Sequence, residues 1–270
     1  MKATTGRHFT SRPVVAAAVG TFIAALVAGC AVHPRPLLVA EDDARANEKA
    51  APAAGAPSKV YGEWRIRVKP DKGAEYDRLI ETKGLPLFRA AGGKMVGWWK
   101  TLVGDLYEQV TIWEYDGGMP AFEKAIGFLG PNPDFQAFVA ARDPLLTGEE
   151  ARFLAPAAVG EAASGPIAAR FVVHEIHRVP LPRREEYLRF MAKNLPLLRS
   201  VGFRPVGPLV TAVGTWSEVT YLYLYDSLRQ RDELIAALNA RPEGREFSAL
   251  LRAHVGEIST RLLVPASFAK

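Results

Sequence analysis

The sequence has one cysteine, Cys30, among its 270 residues. No intramolecular disulfide can form, although an oxidising compartment would permit one. The chain also lacks a phosphate-binding glycine loop, a Ser-His-Asp order and clustered Cys and His residues with metal-ligand spacing. These absences exclude the nucleotide-binding, serine-hydrolase and metal-binding sites that such sequence motifs define. We therefore predict neither a metal nor a cofactor.

A long membrane-spanning run is missing as well. The apolar stretch from Val14 to Ala28 is too short for a comfortable span of about 20 residues. It follows three basic residues and ends in Leu26-Val27-Ala28-Gly29-Cys30. A positive start, a short apolar run and small residues at its end predict a secretory signal peptide over residues 1–29.

The end of this segment resembles the lipobox of bacterial lipoproteins. That resemblance implies cleavage before Cys30 and acylation of its thiol, which would hold the protein on a membrane. Ala31, where inner-membrane lipoproteins carry Asp, favours the outer membrane facing the periplasm by similarity to Gram-negative sorting rules. Residues 30–59 are rich in Ala and Pro with mixed charges, and we predict a flexible tether there.

The net charge of +5 does not indicate nucleic-acid binding. Residues 1–29 hold three basic and no acidic residues, so the remaining chain carries 31 Lys and Arg against 29 Asp and Glu. Phosphate binding needs a concentrated basic surface. We therefore expect no nucleic acid as a partner. The expected partners are a membrane and a small hydrophobic ligand, and a homodimer with a second copy of the chain stays open.

The rest of the chain contains one pattern twice, about 110 residues apart. Glu75-Tyr76, Leu85-Pro86-Leu87, Tyr115-Asp116 and Arg152-Phe153-Leu154 match Glu186-Tyr187, Leu195-Pro196-Leu197, Tyr225-Asp226 and Arg261-Leu262-Leu263. Two related domains are predicted, at 60–157 and 167–266.

Each repeat has the order β-α-β-β-α-β. Alternation over Val60 to Lys69 predicts a strand, and the spacing of Tyr76, Leu79 and Ile80 predicts a helix that breaks and restarts at Pro86. The matching Pro196 predicts the same break in the second repeat. This order is the ferredoxin-like α+β arrangement, with helices on one face of a four-stranded sheet. Because the other face must be covered too, we expect the two sheets to face each other as an α+β barrel-type pseudo-dimer.

Four segments of the first repeat resemble the NIPSNAP family. These are Glu63-Trp64-Arg65, Glu75-Tyr76 followed by Leu85-Pro86-Leu87, the Gly-Lys-Met-Val-Gly-Trp-Trp run at 93–99, and the run from Val103 to Asp116. The similarity extends over Tyr61 to Pro265 and implies a place in the dimeric α+β barrel superfamily, beside cofactor-free monooxygenases and haem-binding relatives. Its motifs imply no catalytic signature.

Strand alternation suggests a ligand chamber. The aromatic positions of the third strand of each repeat share one face, and we expect that face to line the space between the sheets and to hold a flat or aromatic molecule. The alternative is that these rings only fill the core. The predicted ligand-binding residues are Arg65, Trp99, Trp113, Tyr115, Tyr221, Tyr223 and Tyr225.

Glu63 and His174 occupy equivalent positions of the two first strands, and either could act as a general base if desolvated. Both could equally be structural. Glu108 and Glu218 recur beside a turn, and we expect them to bond to its backbone. Three functions stay open: a ligand-binding or scaffold lipoprotein, which we favour; a cofactor-independent oxygenase or isomerase; and a structural envelope protein. Whether the chain is an enzyme is left undecided.

Overall fold

The computed structural model describes residues 59–163 and 165–269. The predicted signal peptide, Cys30 and the tether up to residue 58 lie outside the described residues. Within the described part of the chain, no helix combines the length and apolarity that a membrane crossing requires.

The first repeat forms four strands and four helices. In chain order they are β1 (Lys59–Val68), α1 (Gly73–Leu79), α2 (Leu85–Ala90), β2 (Lys94–Val103), β3 (Glu108–Asp116), α3 (Met119–Leu129), α4 (Pro133–Arg142) and β4 (Leu146–Glu161). A π-helical turn, Ile80–Gly84, joins α1 to α2 just before Pro86. Asn132 caps the N-terminus of α4, because its side-chain oxygen accepts hydrogen bonds from two backbone N–H groups of the first turn that have no partner within the helix.

The second repeat has the same order. Its elements are β5 (Phe171–Arg178), α5 (Arg184–Val201), β6 (Pro205–Val213), β7 (Glu218–Tyr225), α6 (Leu228–Ala240), α7 (Pro242–His254) and β8 (Glu257–Pro265). Here the predicted helix break is wrong, since α5 continues through Pro196. Gly202 ends α5 with φ of 112°, a left-handed conformation that suits glycine.

All eight strands close into one antiparallel barrel in the order β1-β3-β2-β8-β5-β7-β6-β4. The repeats meet edge to edge at β2–β8 and at β4–β6. The predicted fold class, two ferredoxin-like repeats in a barrel-type pseudo-dimer, is confirmed. Because the sheet closes on itself, it has no unpaired edge strand.

The two ends of the barrel differ. In a closed antiparallel barrel, β1 and β5 are four places apart and run in the same direction, so the β2–β3 and β6–β7 turns lie at the same end. We call it the hairpin end. The other, linker end is covered by residues 162–163 and 165–170, where the Tyr61 hydroxyl donates to the Ala163 carbonyl at 2.7 Å and the Ile167 amide donates to the Val96 carbonyl at 2.8 Å.

Three apolar cores hold the barrel. Two lie between its outer surface and the helices, one for each repeat. The third fills the interior, and every strand contributes to it. Its strand residues are Tyr61, Val96, Trp99, Val110, Ile112, Leu154, Val172, Leu209, Leu222 and Leu263.

Candidate functional site

A layer of charged side chains crosses the barrel interior on the hairpin-end side of the apolar core. Arg152 of β4 is its centre. Its guanidinium donates from Nε and Nη2 to the two carboxylate oxygens of Glu63, at 2.9 and 3.0 Å, and from Nη1 to Glu218 at 2.7 Å. Nη2 also donates to the Thr220 hydroxyl at 2.9 Å. Arg152 thereby joins a carboxylate of its own repeat to two side chains of the other.

His174 of β5 completes the contact across the barrel. Its Nε2 lies 3.1 Å from Glu63 Oε2, and neither side chain is exposed. Because an ionised carboxylate only accepts hydrogen bonds, Nε2 carries the hydrogen. The second ring nitrogen, Nδ1, is buried and has no hydrogen-bond partner among the described residues. The two sequence-predicted base candidates are therefore one hydrogen-bonded pair.

The opposite side of the interior has a related but unequal arrangement. Arg261, which matches Arg152 in the sequence repeat, donates from Nε to Glu108 at 2.6 Å. Its neighbour across the β5–β8 ladder is His174, where the first repeat has Glu63. At this position the second repeat has an imidazole instead of a carboxylate. Glu63 therefore receives a hydrogen bond from the other repeat, where a second carboxylate would repel it.

The charges around Glu63 set its protonation state. Burial alone raises its pKa, but the positive charge of Arg152 and the hydrogen bonds from Arg152 and His174 hold the pKa well below the ordinary value of 4.5. The carboxylate is thus a poor proton acceptor at neutral pH, and its evident effect is to orient His174 and balance Arg152.

A small cavity of about 70 Å³ opens above this layer, at the hairpin end. It is lined by Arg65, Ile176, Arg178, Glu218, Glu257 and Ser259. Arg178 donates to Glu218 at 3.1 Å and to Glu257 at 2.6 Å, and Arg65 pairs with Glu150 at 2.7 Å. Since liquid water occupies about 30 Å³ per molecule, the cavity suits water or a very small polar molecule.

The predicted ligand-binding residues are divided between two regions. Arg65 lines the cavity, and Trp99 fills the interior, where a Cβ at Gly97 would lie 2.0 Å from its ring. The prediction that the other five line the space between the sheets is wrong, because they face the helices. Trp113 and Tyr115 belong to the first helix-side core, and Tyr221, Tyr223 and Tyr225 belong to the second.

The wrong assignment has a physical cause. Both faces of β3 and β7 are buried, so alternation separates the two faces without saying which one points inward. The interior takes the smaller set, including Val110, Ile112 and Leu222, while the larger rings fill the space under the helices. Phe88, for example, packs edge to face on Trp113 with ring centres 5.4 Å apart.

The predicted role of two glutamates also needs correction. Glu108 and Glu218 do not use their carboxylates on the turn backbone but pair with Arg261 and Arg152. The sequence carried a signal for this, since the two arginines recur on the last strand of each repeat 109 residues apart, close to the 110 residues that separate the two glutamates. The central role of Arg152 was missed because its partners lie on two other strands, β1 and β7, and come together only when the barrel closes.

Comparison with known proteins identifies the family. The NIPSNAP family model matches residues 63–160 and 177–270, one match for each repeat. The chain belongs to the NIPSNAP family. Human protein NipSnap homolog 2 is 23% identical over 174 residues, which cover 63% of this chain and 59% of that protein. This NIPSNAP chain therefore spans less than two thirds of the length of its curated relative.

Solved structures share the fold at low identity. A candidate monooxygenase from Fusobacterium nucleatum superposes with a TM-score of 0.56 at 11% identity, covering 77% of this chain and 92% of that one. An anthrone oxidase-like protein gives 0.53 at 17% identity, with 78% and 92% covered. Likeness at this identity shows that this NIPSNAP chain shares the α+β barrel with these proteins, and nothing about its chemistry.

Replacing Arg152 by Met should destabilise the protein by about 3–5 kcal/mol, because it leaves the buried carboxylates of Glu63 and Glu218 without their cation. Urea unfolding measures the change in free energy. Arg229→Met, which removes a surface pair with Glu233, is the matched control and should change little. A loss no larger than that of the control would show that the layer does not hold the repeats together.

Replacing Glu63 by Gln should change how stability depends on pH. The folded-state pKa of Glu63 lies below its unfolded-state value, so the carboxylate stabilises the fold above about pH 4.5 and this contribution is lost as the pH falls. The variant should be less stable at neutral pH, and its melting temperature should fall less steeply on acidification below that point. Glu233→Gln, an exposed control, should keep the wild-type profile; equal slopes in all three proteins would contradict the assignment.

Proposed function

We propose that this NIPSNAP protein is a membrane-anchored lipoprotein whose barrel serves as an interaction scaffold. The observation that carries the proposal is the filled interior. Glu63, His174 and Trp99 are at most 1% exposed, and Glu63 is paired inside the barrel with both Arg152 and His174. A hydrophobic ligand between the sheets would have to displace this packed and paired set of side chains, at a cost of several kcal/mol.

The anchor in this proposal is Cys30. The lipobox-like run before it and the absence of any other cysteine support acylation of its thiol. Ala31 favours the outer membrane, with the barrel in the periplasm. A second copy of the chain is not needed to close the barrel, because the two repeats already close it together.

Mass spectrometry of the full chain, produced in a bacterium that processes lipoproteins and extracted in detergent, tests both parts. We expect the denatured mass to lack residues 1–29 and to include acyl groups, and the native mass to equal it. Cys30→Ser is the control that cannot be acylated. An unprocessed Cys30 would rule out the anchor, and an extra mass lost on denaturation would identify a ligand and rule out the filled-interior argument.

One observation favours a second candidate, a cofactor-independent oxygenase or isomerase. His174 Nδ1 is buried without a partner, while Nε2 is held by Glu63, which is the arrangement that orients an imidazole as a general base. Glu63 itself is unsuited to that role because of its lowered pKa. Access to Nδ1 would require an opening of the barrel end, and for this reason the scaffold stands first.

Oxygen uptake with anthrone, a probe chosen from the name of one fold neighbour, tests the second candidate. If His174 removes a proton from the substrate, His174→Asn should abolish uptake and leave the melting temperature nearly unchanged. His177→Asn is the matched control on the same strand, since His177 faces the helices and bonds to Tyr187. No uptake by the wild type, or equal uptake by the His174 variant, would remove this role.

A further inference from the structure

The hairpin end of the barrel exposes most of the large apolar side chains on the surface. Twelve are exposed in the described part of the chain, and eight of them lie on turns or strand ends at the hairpin end. They are Leu102, Val103, Leu106, Tyr107, Leu181, Val213, Trp216 and Ile258. Concentration of exposed apolar groups at one place on a protein marks a contact surface.

The two turns present equivalent residues. Leu106 and Trp216 occupy matching repeat positions and are 65% and 60% exposed, and the matching pair Val103 and Val213 is exposed as well. Because β1 and β5 run in the same direction, these pairs project from opposite sides of the barrel opening at the same level. The end therefore offers two apolar points of attachment to a flat partner.

Polar groups occupy the centre between these points. The cavity there is lined by Arg65, Arg178, Glu218 and Glu257 among others. A protein–protein interface has the reverse pattern, with an apolar centre and a polar rim. Separate turns tipped with Trp, Tyr and Leu are instead typical of residues that enter the interfacial region of a bilayer, where aromatic rings lie at the level of the headgroups.

We propose that the hairpin end of the barrel docks onto the surface of a lipid bilayer, a proposal that rests on the proposed anchoring of the chain at Cys30. The β2–β3 and β6–β7 turns insert their apolar tips among the headgroups. Guanidinium groups lie beside both turns, since Arg67 donates to Asp105 at 3.1 Å and Arg184 donates to the Trp216 carbonyl at 3.3 Å. They would lie near the lipid phosphates.

The length of chain before the barrel permits this orientation. The chain enters the barrel at Lys59, at the linker end, and β1 has ten residues, so the hairpin end lies about 33 Å away along the strand. The 28 residues between Cys30 and Lys59 can reach up to ~90 Å. An acylated Cys30 can therefore stay in the bilayer while the far end of the barrel touches it.

A fluorescent probe placed at single cysteines tests the docking. Acylation would leave the chain without a free thiol, so Leu106→Cys and Trp216→Cys each give one site for the polarity-sensitive dye NBD. The processed protein is reconstituted into vesicles of phosphatidylethanolamine and phosphatidylglycerol. We expect NBD emission at both sites to rise severalfold and move to shorter wavelength. Leu228→Cys, an exposed position at the linker end, is the control, and NBD there should keep the emission of a dye in water.

Each outcome decides a separate point. Emission at 106 and 216 that matches emission at 228 in anchored protein overturns the docking and leaves the anchor intact. Labelling of Cys30 itself in the unsubstituted chain overturns the anchor. The three probes are then placed in a Cys30→Ser chain, so that each protein again has one thiol, and this chain is mixed with vesicles. Their comparison decides the docking, because it does not depend on how the chain is recruited. If NBD emission at these sites changes in native cell-envelope membranes but not in protein-free vesicles, the surface binds a protein partner and the bilayer proposal is wrong.

Discussion

The ion pairing of Arg152 is the interaction on which the closed barrel depends. A guanidinium that is 5% exposed must be neutralised where it lies, and its two carboxylates come from different repeats. The apolar interior could in principle accept other registers of the two half-sheets. A buried cation with partners at fixed positions on β1 and β7 accepts one register only, because any slip leaves a charge unpaired.

Duplication within one chain allows the two halves to differ. Glu63 and His174 are equivalent positions, yet one is an acid and the other a base, and they bond to each other. A barrel of two identical repeats would place two like residues there. The helix-side cores differ as well, since His177 bonds to Tyr187 in the second repeat, where the first has the apolar Ile66 near Tyr76. Because both repeats belong to one chain, every barrel contains one copy of each, and these unlike residues always face each other.

The placement of charge and apolar surface suggests how the molecule is used. The carboxylates of Glu63, Glu108 and Glu218 pair with Arg152 and Arg261 inside the barrel, while eight of the twelve large apolar side chains exposed in the described part of the chain lie at the hairpin end. This distribution separates the ion pairs that stabilise the barrel from the contact function that we propose for its rim. It also explains why aromatic residues on the central strands are a poor guide to a ligand site in this fold: they support the helices.

The sequence by itself determined the repeat, the order of elements and the fold class, because matched motifs and the change from a two-residue to a helical period are local properties of the chain. It also singled out Glu63 and His174 as equivalent positions. Only the tertiary structure decided which face of β3 and β7 points inward, since both faces are buried. It alone brought Arg152 between Glu63 and Glu218, because contacts between residues 66 and 89 positions apart exist only after the barrel has closed.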